Sequence, residues 1–143
     1  FHDPKNGDDH QLPMGDFLFE VFKSRYAQKG NEWVFPSRQN EGQHITNMRA
    51  GLANLNQKAG TNITTHDLRR TYATIANNLD YSVATIKRLL NHRDSSRQND
   101  VTLRYIQMPT KKLKQAMNDI EKQIFEYSSL TLNDAKNKLQ ASS

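Results

Sequence analysis

Four residues between positions 66 and 105 have side chains of types that take part in phosphate chemistry. They are His66, Arg69, His92 and Tyr105. A phenol can act as a nucleophile, a guanidinium can bind two phosphate oxygens, and an imidazole can donate to an oxygen or move a proton. A phenol ionises only near pH ~10, so such a tyrosine needs positive neighbours that favour the phenolate. Each residue alone reads as surface or packing, but the ordered set indicates phosphodiester chemistry.

The elements that must position these residues are predicted to be mainly helices. Apolar residues at helical spacing predict a helix from about Gly15 to Gln28 and a long helix that begins at Pro109-Thr110. Between them, further helices are capped at Thr46, Thr65 and Ser82, and Gly60 ends the first of these. The clearest apolar stripes are Leu68, Tyr72, Ile75, Ala76 and Leu79 in one helix, and Leu113, Met117, Ile120 and Ile124 in the last.

His66 and Arg69 are expected to share one face at the start of their helix. They are three residues apart, with Leu68 and Tyr72 on the buried side. A helix start also offers backbone N–H groups and a positive dipole end. The pattern therefore predicts a phosphate site made of a guanidinium, an imidazole and backbone amides. Arg70 lies about 100° from Arg69 around the helix axis, and it is expected to lie on the surface or to contact a nucleic-acid backbone.

His92 is expected at a helix end that Leu89 and Leu90 anchor in the core. It could donate to a phosphate or shuttle a proton there, or only interact with the helix dipole. A polar loop over 93–100 and a short helix over 101–107, which carries Tyr105, are predicted to follow. The remaining tyrosines are interpreted as packing aromatics: Tyr26, Tyr72, Tyr81 and Tyr127.

Two further segments complete the predicted organisation. Lys5-Asn6-Gly7-Asp8 contains Asn-Gly, a strong hairpin signal. The fold class is therefore mainly α with a small antiparallel β-hairpin (α+β). One domain is expected over 1–127, and a tail over 128–143 that forms a short helix or is partly disordered. The start at Phe1 leads us to expect part of a longer protein.

Composition favours an anionic partner. The 143 residues carry a formal charge of +5 and no cysteine, which excludes disulfides, thiolate catalysis and cysteine-based zinc sites. From His66 to Tyr105 there are seven Lys or Arg residues against four Asp, which suits a polyanion track. The candidate DNA contacts beyond Arg69 are Arg70, Lys87, Arg88, Arg93, Arg97 and Arg104. No apolar run is long enough for a membrane span, so a cytosolic protein is the simplest expectation.

The set of motifs resembles the tyrosine recombinases, in particular the phage-type integrases. The resemblance rests on His66-Asp67-Leu68-Arg69-Arg70-Thr71, Leu90-Asn91-His92 and Thr102-Leu103-Arg104-Tyr105-Ile106, and it covers about 1–112. It implies a mostly helical catalytic domain with a small antiparallel sheet, here truncated at its N-terminus. Arg69 looks like the second catalytic arginine, His66 and His92 like its companion histidines, and Tyr105 like the nucleophile. Lys5, before Asn6-Gly7, looks like the family's hairpin lysine, which acts as general acid. The alternative is that Lys5 is an ordinary exposed turn residue.

What the resemblance implies is DNA strand cleavage and rejoining. Tyr105 would attack a phosphodiester and form a 3′-phosphotyrosyl link, with no metal and no cofactor. Double-stranded DNA is the implied partner, with a homotetramer on DNA and a monomer as the free fragment. The setting would be phage or genomic-island integration in the bacterial cytoplasm, at the nucleoid.

Two alternatives remain at the level of sequence. The chain could be a non-catalytic helical DNA-binding module, or an oligomerisation module whose Leu113–Ile124 helix docks on a partner. The family's first catalytic arginine has no counterpart among these residues, and the loop between His92 and Tyr105 is longer than in many members. We therefore expect the 143 residues alone to be inactive in recombination.

Overall fold

The computed structural model describes residues 11–28, 30, 32–37, 39–92, 108–129, 131, 133–134 and 137. Their helices are α1 (Asp16–Gln28), α2 (Arg49–Ala59), α3 (Thr65–Asn78), α4 (Val83–Leu89) and α5 (Thr110–Tyr127). The predicted starts of the first and last helices are confirmed to within a residue. No helix within this described part is both long and apolar enough to cross a membrane.

The core lies where α3 packs against α4 and α5. Its buried side chains are Ile75, Ala76, Leu89, Leu113, Ala116 and Ile120. Both predicted apolar stripes contribute to it, and the apolar side of α5 is used within this chain. Ile124 departs from its stripe, since it is 42% exposed near the end of α5. The core is thus concentrated in the middle of α3 and α5.

The prediction for the start of α3 was wrong in one respect. Leu68, expected on the buried side, is 51% exposed, whereas Tyr72 one turn later is half-buried. Tyr72 contacts α5, because its hydroxyl donates to Met117 Sδ at 2.9 Å. The first turn of α3 therefore projects beyond the core.

A buried polar group fixes the start of α4. Ser82 is its N-cap, as predicted, and its hydroxyl accepts from the Thr85 amide. The Thr85 side chain is fully buried, and its hydroxyl pairs with Ser82 Oγ at 2.9 Å. This pairing satisfies a hydroxyl that would be costly to bury alone.

The first turn of α1 is completed by side chains of α5. The amides of Phe17 and Leu18 both donate to the Glu121 carboxylate at 3.0 Å, and the Asp16 amide donates to Asn118 Oδ1 at 2.9 Å. Gly15 is buried just before this turn, and a Cβ at that position would overlap the Glu121 carboxylate. The start of α1 is therefore specified by α5.

Helix α2 stands apart from the core. It buries none of its residues, and Leu55 on it is 56% exposed. The predicted cap at Thr46 was wrong, because the helix begins at Arg49 with Met48 as N-cap, and the Asn47 side chain accepts from the Arg49 amide. Its predicted end at Gly60 is confirmed, with a left-handed φ of 64°.

The β component of the predicted fold class is not confirmed. The hairpin expected at Lys5-Asn6-Gly7-Asp8 lies outside the described residues. In the described part, the extended structure is an isolated antiparallel bridge between Pro36 and His44. Trp33 supports this loop by donating from Nε1 to the Gly42 carbonyl at 2.9 Å. The described residues define a mainly helical protein.

Candidate active site

The start of α3, where the first two candidate residues lie, is fixed by a capping box. The cap is Thr64 and not the predicted Thr65. Thr64 Oγ1 accepts from the Asp67 amide at 3.2 Å, and the Asp67 carboxylate accepts from the Thr64 amide at 3.0 Å. Thr64 has an acid three residues later, as a capping box requires, whereas Leu68 follows Thr65 at that spacing.

The capping box also changes the electrostatics expected at this helix start. Hydrogen bonds from the side chain and then the backbone of Thr64 lower the pKa of Asp67 below 3.8. A carboxylate thus stands at the helix start, and the Asp67 amide is already used by Thr64. The contribution that we predicted from the backbone amides of this helix start is reduced accordingly.

The loop before the cap is held by Asn56 of α2. Its Oδ1 accepts from the Ile63 amide at 3.0 Å and from the Thr61 hydroxyl at 2.9 Å. Its Nδ2 donates to the Ile63 carbonyl at 2.8 Å. The sequence reasoning missed this residue, because a single asparagine on an exposed helix face gives no signal of its loop partner. Through it, α2 positions the start of α3.

Arg69 connects the start of α3 with the end of α4. Its Nη2 donates to the main-chain carbonyl of Leu90 at 2.5 Å, across 21 positions of sequence. A guanidinium has five N–H donors, so this bond directs the group and leaves donors for an anion. The structure thus brings Arg69 to the turn that carries His92, as the predicted set requires.

That turn has a defined backbone conformation. Leu90 is the C-cap of α4, and Asn91 follows with a left-handed φ of 49°. The His92 amide donates to the Lys87 carbonyl at 2.9 Å, and the Asn91 amide donates to the Arg88 carbonyl at 3.3 Å. These two bonds form the Schellman motif. Leu89 is buried, as predicted, and anchors the turn in the core.

His66, Arg69 and His92 are all exposed. His66 lies on the first turn of α3, three residues before Arg69. An enzyme for a small molecule usually encloses its ligand in a cleft, whereas a duplex needs an open surface. The exposure of these residues therefore suits a large, rigid, anionic substrate.

Arg70 faces a different part of the molecule from Arg69. It lines an open groove of about 360 Å³ between α3 and the end of α5, together with Asp67, Thr74 and Tyr127. The neighbouring charge of Arg70 also contributes to the lowered pKa of Asp67. The predicted separation of the two arginines round the helix is confirmed.

The tyrosines predicted to be packing aromatics divide into two pairs. Burial raises the pKa of Tyr72 and of Tyr81 to about 12, and the hydrogen bond from Tyr81 to Asp119 adds to this. A raised pKa disfavours the phenolate, so neither is suited to act as a nucleophile. Tyr26 and Tyr127 were wrongly predicted as packing residues, since they are 62% and 64% exposed.

Several predicted site residues fall outside the described part of the chain. They are Tyr105, Lys5, Arg93, Arg97 and Arg104. Their roles remain predictions. Of the other candidate DNA contacts, Lys87 and Arg88 lie in the last turn of α4, directly before the turn that carries His92. This places two cations beside the Arg69–Leu90 contact.

The described part is thus a helical domain in which Arg69 connects the start of α3 with the turn that carries His92. The family comparison is more specific: the model of the phage integrase family matches residues 2–112. This chain belongs to the phage integrase family, that is, to the tyrosine recombinases. Comparison with curated proteins and with solved structures gave no match.

Proposed function

We propose that this chain is the catalytic part of a site-specific DNA recombinase that acts through a 3′-phosphotyrosyl intermediate. One observation carries the proposal: Arg69 donates to the Leu90 carbonyl and so lies at the turn that presents His92. The bond joins Arg69 to Leu90, two positions before His92, in a chain that matches the phage integrase family. The catalytic set is His66, Arg69, His92 and Tyr105.

In the proposed reaction, the phenol of Tyr105 loses its proton to solvent, which its positive neighbours favour, and the phenolate oxygen attacks the DNA phosphorus. The bond from phosphorus to the 5′-oxygen breaks, and Lys5 supplies the proton that this leaving group takes. Arg69, His66 and His92 stabilise the charge that develops on the phosphoryl oxygens. The 5′-hydroxyl of another strand then returns a proton to Lys5 and attacks the link, which rejoins the DNA and releases Tyr105 as a phenolate that takes up a proton from solvent. The covalent link retains the energy of the broken bond, so the reaction needs no cofactor.

DNA binding in this proposal depends on basic residues close to the site in sequence and on Arg70. Lys87 and Arg88, directly before the turn that carries His92, form the proposed track for the phosphate backbone with Arg93, Arg97 and Arg104. Arg70, which lines the groove between α3 and α5, would contact the backbone from another face. Removal of one exposed cation such as Arg88 should weaken binding to all sequences and reduce the salt slope by about 1. The salt dependence of binding to a duplex measures this.

The finer points of the proposal concern its biological setting. The reaction would integrate or excise a phage genome or genomic island in the bacterial cytoplasm, with four protomers on the DNA. The 143 residues alone should give little strand transfer, because none of them corresponds to the family's other catalytic arginine. Strand-transfer assays of this chain and of the complete product of its gene compare the two directly.

The test of the function is a covalent-trapping experiment. The complete gene product is incubated with a nicked duplex that loses its 5′-hydroxyl strand after cleavage, so that the intermediate accumulates. We expect a protein–DNA adduct that survives denaturation, disappears in Tyr105→Phe and persists in the matched control Tyr127→Phe, which changes an exposed tyrosine. An adduct retained in Tyr105→Phe would remove Tyr105 from its role. Salt-sensitive DNA binding with no adduct would favour a non-catalytic DNA-binding module.

A further inference from the structure

Asn91 is the one residue between the Arg69 contact at Leu90 and His92. Its φ of 49° lies in the left-handed region, which most residues with a side chain avoid. Asparagine adopts this conformation more readily than other residues except glycine. A β-branched residue such as valine resists it most strongly.

The left-handed residue determines the direction of both neighbouring groups. With Asn91 in this conformation, the His92 amide reaches back to Lys87 and the Asn91 amide to Arg88, which closes the last turn of α4. The Leu90 carbonyl then remains available to accept from Arg69. A different conformation at residue 91 would change the direction of the Leu90 carbonyl and of His92 together.

We propose that Asn91 is a positioning residue, whose left-handed backbone holds Arg69 and His92 in register for the phosphoryl group. This inference rests on the proposed recombinase function and assigns a residue to the geometry of the same site. The role belongs to the backbone conformation and not to the carboxamide. Glycine should therefore replace asparagine, and valine should not.

The chain contains a matched control at the end of α3. Asp80 has a φ of 58°. Its amide donates to the Asn77 carbonyl at 3.0 Å, and the Tyr81 amide donates to the Ala76 carbonyl at 3.1 Å. This is the same Schellman motif, but none of the candidate catalytic residues lies in it. Valine at residue 80 should impose a similar backbone penalty away from the site.

The experiment compares Asn91→Val with Asn91→Gly, and Asp80→Val with Asp80→Gly, in the complete gene product. Within each pair the charge is equal, so the difference reports the backbone. At saturating nicked DNA, we expect Asn91→Val to form the covalent adduct ~100-fold more slowly, since a displacement of about 1 Å can have this effect. Asn91→Gly should stay within about threefold of the unaltered protein by the same reasoning. Asp80→Val should form adduct as fast as Asp80→Gly, although both valine variants unfold at lower temperature.

Two results would overturn the role assigned to Asn91. Equal loss in Asn91→Gly and Asn91→Val would assign the effect to the carboxamide. Equal slowing by Asp80→Val and Asn91→Val would show that the slower reaction comes from a general loss of stability and not from the position of Arg69 and His92. A failure of the recombinase function is distinguishable, because the unaltered protein would then form no Tyr105-dependent adduct.

If no adduct forms, a second measurement still tests whether Asn91 positions Arg69. In the ¹⁵N-labelled 143-residue chain, the Nε–Hε signal of Arg69 can be identified by its loss in Arg69→Lys. We expect this signal to shift in Asn91→Val and to keep its position in Asn91→Gly and Asp80→Val. An unchanged signal in Asn91→Val would contradict the proposal whatever the reaction is.

Discussion

The first turn of α3 and its middle are built in different ways. Ile75 and Ala76 in the middle are buried against α4 and α5, and apolar packing fixes their positions. Arg69 near the start is exposed, and a hydrogen bond to a main-chain carbonyl directs it. The core therefore sets the stability of this domain, whereas caps and helix ends set the geometry of the candidate site. Substitutions and changes of pH that act on one part or the other should therefore differ in their effect on the free energy of unfolding.

The largest loss of stability should follow a cavity in the core. Ile120 is fully buried on α5, and Ile120→Ala should reduce the free energy of unfolding by about 2–5 kcal/mol. Ile124→Ala is the matched control on the same helix, because Ile124 is 42% exposed, and it should cost less than half as much. Urea unfolding of the 143-residue chain measures both. Equal losses would show that α5 does not pack in this chain's core.

Alkaline pH should destabilise the fold through the half-buried tyrosines Tyr72 and Tyr81. The pKa of Tyr72 and of Tyr81 is raised from 10.0 to about 12, so the folded state favours the protonated phenols. Between pH 10 and 12 the folded state binds more protons than the unfolded state, and the free energy of unfolding should fall as the pH rises. Below pH 10 this contribution should be fully present. The double variant Tyr72→Phe, Tyr81→Phe should lack this dependence, and an unchanged alkaline profile would contradict the assignment.

The cap of α3 should have a smaller effect. Thr64→Ala removes the hydroxyl that accepts from the Asp67 amide, and it should cost about 1 kcal/mol of stability. Thr65→Ala is the adjacent control and should change stability by less than about 0.5 kcal/mol. Thermal unfolding of the two variants distinguishes the caps. A larger loss of stability in Thr65→Ala would show that Thr65 caps the helix, as the sequence pattern predicted.

The smallest effect on stability should accompany a large effect on the reaction. Arg69→Ala removes one hydrogen bond from an exposed side chain and should change stability by about 0.5 kcal/mol or less. In the complete gene product it should slow adduct formation by ~10²–10³-fold, as for the loss of a donor to a developing charge. Arg49→Ala, at the exposed start of α2, should change neither quantity. A large loss of stability in Arg69→Ala would place Arg69 with the structural residues.

Much of the helical fold could be predicted from local patterns. Apolar residues at helical spacing located α1, α3 and α5, and Ser82 and Gly60 mark helix limits through side-chain or backbone preferences. Leu68 fits the same periodicity but is exposed, whereas Tyr72 one turn later packs against the core. Periodicity indicates which face is apolar; how far the neighbouring helix extends along it depends on tertiary structure.

The sequence pattern proposed residue types for the candidate site but did not indicate the contacts that the structure shows between them and their neighbours. His66, Arg69 and His92 carry recognisable chemistry at recognisable spacing. The acceptor for Arg69 is the main-chain oxygen of Leu90, which every residue type possesses, so no sequence signal marks it. The cap at Thr64 did have a signal in Asp67, three residues later, but the adjacent Thr65 has the same hydroxyl. Such connections depend on how α3 and α4 meet.

The dependence of α1 on Glu121 has a consequence for the order in which the domain folds. The amides of Phe17 and Leu18 find their carboxylate more than a hundred residues later in the chain. Before α5 has docked, the first turn of α1 lacks this acceptor, whereas α3 and α4 carry their own caps at Thr64 and Ser82. We expect α3 and α4 to gain protection from hydrogen exchange early in refolding. The start of α1 should gain protection only with the final closure of the two distant segments, which makes it a late reporter of the native state.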